Sequence, residues 1–305
     1  MLELRDYKLT DSAQLEQLVA TNNDSENTLF TEARTTPRYT RTIIAKLNEE
    51  IVGFATLYQN QLHYHPNDFR LSIVVSEEAR KQGVDSKLHE AVIKDLPVEL
   101  ARVRAASPEH SASSAFFETL GYYPLLRSYS PSLNVNSIET DKYDNVLKAL
   151  RRSGYHITNL AELGRDATQS LVDLYFQVYA DNHTHSPPTP DEDWQDIFLG
   201  EDVVDEAFFV AIRKGVPVGF SSLQAGEPHE MESMWDGVDV SERALAYPLR
   251  LALKLREVSY AKQKGITTIH WEVDSTDLVG IQLMKTLPFE AGSAQQIWTC
   301  EVYSA

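Results

Sequence analysis

Ile43-Ile44-Ala45-Lys46-Leu47-Asn48-Glu49-Glu50-Ile51-Val52-Gly53-Phe54 aligns without a gap with Phe209-Val210-Ala211-Ile212-Arg213-Lys214-Gly215-Val216-Pro217-Val218-Gly219-Phe220. Each copy reads as a strand, a tight polar turn and a second strand closing on Val-Gly-Phe. After each copy comes a stretch that reads as a strand leading into an anion-binding helix. Each then ends in a strand and a helix closing on Leu-Gly-Tyr (120–122) or Leu-Pro-Phe (287–289). A unit that occurs twice sets the organisation of the chain before composition is considered.

Working outward from the first copy, Leu4-Arg5-Asp6-Tyr7 is a strand, and Asp11 is placed to cap a helix carrying Leu15, Leu18 and Val19. Residues 24–41 are polar and aperiodic, as a loop or a short helix near a substrate cleft would be. Phe69 to Val75 is a third strand. Val84, Leu88, Ala91, Val92 and Leu96 lie at helical spacing. Ala101, Val103 and Ala105 alternate as in a strand. Phe116, Phe117 and Leu120 mark a last helix stopped by Gly121. Residues 124–138 read as a closing strand and exit loop, and Lys142 to Ser153 as a basic amphipathic connecting helix.

The second copy repeats the order. Leu171, Leu174, Tyr175 and Val178 form a helix face, and a Pro-, His- and Thr-rich loop runs from Asn182 to Asp191. Pro248 stands near the start of a long helix stopped by Gly265. Residues 267–273 are a strand. The expected fold is α/β with α+β mixed layers. It consists of two tandem domains, 1–138 and 139–305, each with a mixed, mostly antiparallel central sheet flanked by helices.

The 305 residues suffice for two cores. No apolar run approaches the roughly 20 residues that span a bilayer. The N-terminus lacks a signal-peptide pattern, and one cysteine, Cys300, excludes an internal disulfide. The expected compartment is therefore the cytoplasm. A net charge of −17 argues against nucleic acid as a partner. It would steer a cationic small substrate towards the protein. His63 with His65 and His183 with His185 are pairs without further ligands, and no metal site is expected.

Chemistry concentrates in Val75-Ser76-Glu77-Glu78-Ala79-Arg80-Lys81-Gln82-Gly83-Val84-Asp85-Ser86-Lys87-Leu88. A strand passes through a short loop into a helix, with glycine at the helix start. The first amides of a helix lack internal partners and sit at its positive dipole end. A glycine lets a phosphate approach them. Arg80, Lys81 and Lys87 add positive charge.

At these residues the chain resembles the GNAT superfamily of acyl-CoA-dependent N-acetyltransferases. Their signature is Arg or Gln, two residues, Gly, one residue, then Gly or Ala, after a strand ending in Val. Arg80, Gly83 and Val75 match it. The Val-Gly-Phe strand and Phe-Phe-Glu-Thr-Leu-Gly-Tyr (116–122) are also similar, and the repeat resembles the tandem arrangement of mycothiol-synthase-like enzymes. The resemblance implies that acetyl-CoA is the cosubstrate, held by Ile73, Val75, Arg80, Lys81, Gln82, Gly83, Val84, Asp85 and Ser86. The acceptor would be a small-molecule or peptide amine.

Departures from the pattern are specific. Asp85 replaces a small residue at the phosphate cradle. Phe117 stands where many relatives carry the tyrosine that protonates the departing thiolate. The remaining catalytic candidates are Tyr122 and Glu232, the latter on an acidic strand where Glu230, Glu232 and Met234 share a face and Asp236 follows. In the second unit Ala246, Pro248, Met284 and Pro288 replace motif residues, and Pro248 removes an amide donor. The expectation is an N-acetyltransferase whose first unit binds the coenzyme. Its alternative is a decayed relative that binds acyl-CoA or a partner without turnover.

Overall fold

The structure is a computed structural model that describes residues 1–21, 37–60, 64–94, 96–182, 198–200 and 203–303. Of the loops expected at 24–41 and 182–191, residues 24–36 and 183–191, with His63, His183 and His185, lie outside the described residues. Residues 37–41 instead begin a long strand and Asn182 ends a helix, since backbone pairing overrides their polar composition. The chain forms two compact units, Met1–Leu126 with Gln295–Ala305, and Arg127–Ala294.

Unit 1 is built on strands β1 (Leu2–Asp6), β2 (Pro37–Leu47), β3 (Glu50–Asn60), β4 (Asp68–Val75) and β5 (Leu100–Pro108). They lie in the order β1-β2-β3-β4-β5, and the chain's final strand, Ala294–Tyr303, flanks β5. All neighbours are antiparallel except β4 and β5. Helix α1 (Ser12–Thr21) covers one face, where Leu15 meets Ile44, Phe54 and Val74. After the short turn α2 (Glu77–Arg80), α3 (Val84–Ile93) covers the other with Val84, Leu88 and Val92, all buried. Each such side chain contributes about 1.5–3 kcal/mol by leaving water. Helix α4 (Ala112–Thr119) is capped by Ser111, whose Oγ accepts from the Ser114 amide. Asp11 does not cap α1. It takes two 2.8 Å hydrogen bonds from Arg5 and one from the Lys8 amide, and the Arg5 guanidinium holds its carboxyl down to about 2.

Unit 2 contains β7 (Ser132–Asn134), α5 (Asp144–Arg152), β8 (Tyr155–Asn159), α6 (Leu160–Leu163), α7 (Thr168–Asn182), β9 (Phe208–Arg213), β10 (Val216–Ala225), β11 (Glu230–Val238), α8 (Ala246–Gln263), β12 (Thr268–Trp271), β13 (Val273–Asp274), α9 (Leu278–Thr286) and β14 (Phe289–Glu290). The strand β6 (Tyr123–Tyr129) contains the boundary. The sheet order is β14-β7-β12-β11-β10-β9-β8, and β11–β12 is the parallel pair.

The twelve-residue repeat folds the same way twice. Each copy turns on two residues of positive φ, Asn48–Glu49 (50° and 72°) and Lys214–Gly215 (52° and 81°). That is the two-residue hairpin turn whose twist matches its strands. In each copy the valine of Val-Gly-Phe is bulged out of register, Val52 between the Ala45–Gly53 and Lys46–Ile51 pairs, and Val218 between Pro217–Ile212 and Gly219–Ala211. The carbonyls of both valines accept the amide that begins the strand-to-helix turn, Ser76 in unit 1 and Asp239 in unit 2, each at 2.9 Å.

The glycines that follow leave room for the next strand. A Cβ on Gly53 would lie 3.0 Å from the Val74 carbonyl, and one on Gly219 would lie 3.0 Å from the Gly237 carbonyl. Gly53→Ala and Gly219→Ala should each lower stability by about 1–3 kcal/mol through overcrowding. Urea unfolding of the two variants checks this, and unchanged midpoints would refute it.

The domain boundary differs from the expected 138/139. Ser132–Asn134 pairs with β12 and β14, so it belongs to unit 2. Residues 295–303 pair with the whole of β5 in unit 1. There Trp298 is buried, and its indole N–H donates to Ser107 Oγ at 2.9 Å. The strand chosen by each sheet is set by long-range pairing, which leaves no mark on local periodicity.

Candidate functional site

In unit 1, β4 and β5 pair only at Asp68–Arg102, Phe69–Val103 and Arg70–Arg104. Beyond them the two strands part, while β3 holds β4 as far as Val75 and the final strand holds β5 as far as Pro108. From Leu71 to Val75, β4 thus keeps one paired edge and turns the other towards the opening. Such an edge offers a row of backbone donors and acceptors.

A 280 Å³ cavity lies against this opening. Its walls are Ile73 and Val75 of β4, Arg80 and Asp85 at the strand-to-helix turn, and Ala112, Ser113, Ala115, Phe116, Phe117 and Thr119 of α4. Of the residues expected to hold a coenzyme, the cavity brings together Ile73, Val75, Arg80 and Asp85. Gly83 is the N-cap of α3 at φ 69°, a conformation that glycine adopts without strain. The Val84 side chain is in the core, which leaves its amide in the first turn of α3. Lys81 faces away, paired with Glu77 at 2.9 Å on the surface. Gln82 donates its side-chain amide to the Glu78 carbonyl.

Asp85 has a definite role in this arrangement. Its Oδ1 accepts the Ser86 amide at 2.8 Å, so its carboxylate occupies one of the donors of the helix start. The α4 wall was missed by sequence reasoning. Its signal was the spacing of Ala112, Ala115 and Thr119 with Phe116, a face of small residues beside an aromatic one.

Tyr122 does not reach this cavity. It is buried behind Phe117, with ring centroids 5.3 Å apart, and its hydroxyl is 3.1 Å from His89 Nε2. Burial pushes the Tyr122 hydroxyl well above its ordinary value and lowers His89 to about 4, so both are neutral near pH 7. Cys300 is half-buried against the same core, and burial raises its thiol.

Unit 2 repeats the geometry but fills the opening. Strands β11 and β12 pair in parallel from Glu230–Thr268 to Ser233–Trp271 and then part. A bulge in β11, between the Leu223–Ser233 and Ser221–Asp236 pairs, puts Ser233 and Asp236 on one face towards α8. Asp236 therefore leaves the face of Glu230 and Glu232. From α8, Arg250 donates to Asp236 at 3.0 Å and to Asp277 at 2.6 Å. Lys254 lies 3.4 Å from Asp236 and 3.3 Å from Glu257, and 4.3 Å from the Trp271 ring centre. Ser221 and Ser233 both donate to Glu257.

Arg250, Lys254 and Glu257 of this network are buried in the helix–sheet interface, and Asp236 is nearly so. Burial raises the Glu257 carboxyl to about 7. Burial acts in the same direction on Asp236, but the Arg250 and Lys254 charges outweigh it and hold that group below its ordinary value. The candidate Glu232 is exposed on the strand, opposite His270, whose ring pairs with Glu230 at 2.8 Å. Among the described residues no three His, Cys, Asp or Glu side chains converge as metal ligands, and no helix is long and apolar enough to cross a membrane.

Residues 38–124 match the acetyltransferase (GNAT) domain family. Across the whole chain the fold is similar to a GCN5-related N-acetyltransferase from Sphaerobacter thermophilus, with a TM-score of 0.72, 15% identity, and coverage of 100% of this chain and 96% of that one. It is also similar to a tandem GNAT protein from the clavulanic acid biosynthesis pathway, with a TM-score of 0.62, 14% identity, and coverage of 99% and 98%. This chain has a tandem GNAT fold. An acetyltransferase of the GNAT family from Colwellia psychrerythraea is likewise similar to this chain, with a TM-score of 0.58, 14% identity, and coverage of 98% of this chain and 99% of that one. No protein of curated function matches this chain.

Proposed function

We propose that unit 1 binds acetyl-CoA and transfers its acetyl group to an amine. The observation that carries this reading is the cavity at the parting of β4 and β5, closed at one end by the N-terminus of α3. The open edge of β4 fits an amide-bearing arm, and the amides after Gly83 together with Arg80 fit a pyrophosphate. Ile73, Val75, Phe116 and Phe117 give the cavity an apolar wall that keeps water from a thioester.

The coenzyme supplies an activated acyl carbon. An amine lone pair forms the C–N bond there as the C–S bond breaks, and the ammonium proton leaves as the thiolate is protonated. Asp85 and Arg80 are the ionisable groups among the cavity residues, and both sit at the phosphate end. The chain's contribution to the transfer is therefore to bind, align and exclude water, with the acceptor entering as the neutral amine. Phe117, which brings no hydroxyl to the cavity, favours a second reading in which acyl-CoA is bound without turnover.

Isothermal titration with acetyl-CoA tests the proposal. The expected result is one site per chain, because unit 2's opening is filled. Asp85→Ala frees the Ser86 amide and removes a negative charge beside the phosphates, and should tighten binding roughly tenfold. No heat and no thermal shift would sink the reading. Binding with no thiol release from any amine would favour the second.

A further inference from the structure

The whole chain carries a charge of −17, yet the face of the unit 1 sheet opposite α3 carries a concentration of arginine. Arg70 on β4 lies directly across from Arg104 on β5, and Arg102 is two residues further along. Asp68 pairs with Arg102 and Arg104 at 2.7 Å each. Glu301 of the final strand stands opposite Arg102. Among the described residues of these three strands, three arginines thus meet two carboxylates on this face. Arg70 is the one left over: it is half-buried, and no described carboxylate or carbonyl pairs with it. A half-buried guanidinium that lacks an anion has given up part of its hydration without return.

The position of this residue ties it to the site. Arg70–Arg104 is the last pair before β4 and β5 part, so the residues just beyond it border a gap that connects the two faces of the sheet. The cavity, on the α3 and α4 side, holds the face where Ile73 and Val75 point. An acceptor must then come from the opposite face, where Arg70 and Ser72 lie about 7 Å apart along the strand. Ser72 is an independent second sign. It is 2% exposed, and its Oγ has no hydrogen-bond partner among the described residues. Beside it, across β3, Thr56 and Thr42 satisfy each other at 3.0 Å. A buried hydroxyl left unsatisfied next to an unpaired guanidinium marks a place that a polar ligand completes.

We propose that the acceptor is an amine that also carries a carboxylate, with the carboxylate on Arg70 beside Arg104 and the amine near Ser72 at the parting of β4 and β5. This rests on the acyl-transfer reading of unit 1. It reverses the expectation drawn from net charge, because local charge at a site outweighs a distant surface field screened over a Debye length. A planar guanidinium binds a carboxylate through two parallel hydrogen bonds, which an uncharged amide cannot match.

The test pairs each of the common amino acids, β-alanine and 4-aminobutyrate with its carboxamide, using acetyl-CoA and following free thiol. At least one acid should be acetylated with a KM roughly tenfold or more below that of its amide. Arg70→Gln should raise the acid's KM roughly tenfold and leave the amide's KM and the acetyl-CoA Kd within about twofold. Direct titration of the same acids into the protein without acetyl-CoA reads the anion site by itself. Amides equal to acids, or an Arg70→Gln effect equal on both, would overturn the proposal. So would normal acetyl-CoA binding with no acid either bound or acetylated. Acids that bind through Arg70 in a protein that refuses acetyl-CoA would overturn the acyl-transfer reading and keep the carboxylate site.

Discussion

Arg250→Met should lower the stability of unit 2 by about 3–5 kcal/mol, the cost of removing one partner from a buried ion network. Arg250 is 6% exposed and links Asp236 on β11 to Asp277 at the start of α9. Without it, two carboxylates would remain in the opening with Lys254 as the nearest cation. Methionine fills a similar volume, so the loss reports charge more than a cavity. Urea unfolding followed by tryptophan fluorescence provides the measurement, since Trp235 and Trp271 lie in this unit. Adding Asp236→Leu to Arg250→Met should recover part of the loss, because a whole network replaced by apolar groups is often tolerated. A loss below about 1 kcal/mol would mean that water reaches these groups and that the opening is not sealed.

Ala115→Trp should weaken acetyl-CoA binding roughly hundredfold or more, about 3 kcal/mol. Ala115 lines the cavity from α4, yet it is exposed, so an indole there enters the cavity without displacing core. The helix cost of tryptophan relative to alanine is below about 1 kcal/mol, and the melting temperature should barely move. The variant therefore separates loss of binding from loss of fold, which a substitution at Gly83 with φ 69° would not. Undiminished binding would place the coenzyme elsewhere.

Much of this was legible in the chain. The Val-Gly-Phe repeat gave the hairpins because its turn residues and glycines answer local demands, positive φ and a close neighbouring strand. The strand-to-helix turn was legible for the same reason, since a glycine at a helix start acts through its own backbone. The α4 wall was hidden, because nothing in Ala112-Ser113-Ser114-Ala115 says which face meets a cavity until β4 and β5 part.

The unit 2 network was hidden by a single bulge. Period-two alternation puts Asp236 with Glu232, and the extra residue in β11 turns it towards α8 instead. Arg250, Lys254 and Glu257 look like the solvated charges of an ordinary helix, and only the tertiary structure shows them buried. Tyr122 was misplaced for the opposite reason. Following Gly121 at φ 82°, its ring turns into the core and meets His89.

The strand at the C-terminus also sets an order of biosynthesis. Ribosomes release β1 to β5 early, but β5 gains its neighbour along residues 100–108 only when 295–303 emerge. Unit 1 is thus begun before unit 2 and completed after it, since residues 127–294 are made before 295–303. A chain cut short anywhere before residue 295 lacks the strand that holds β5 at one side of the gap between β4 and β5. The pairing of β5 along its whole length is in this way tied to translation having passed residue 303.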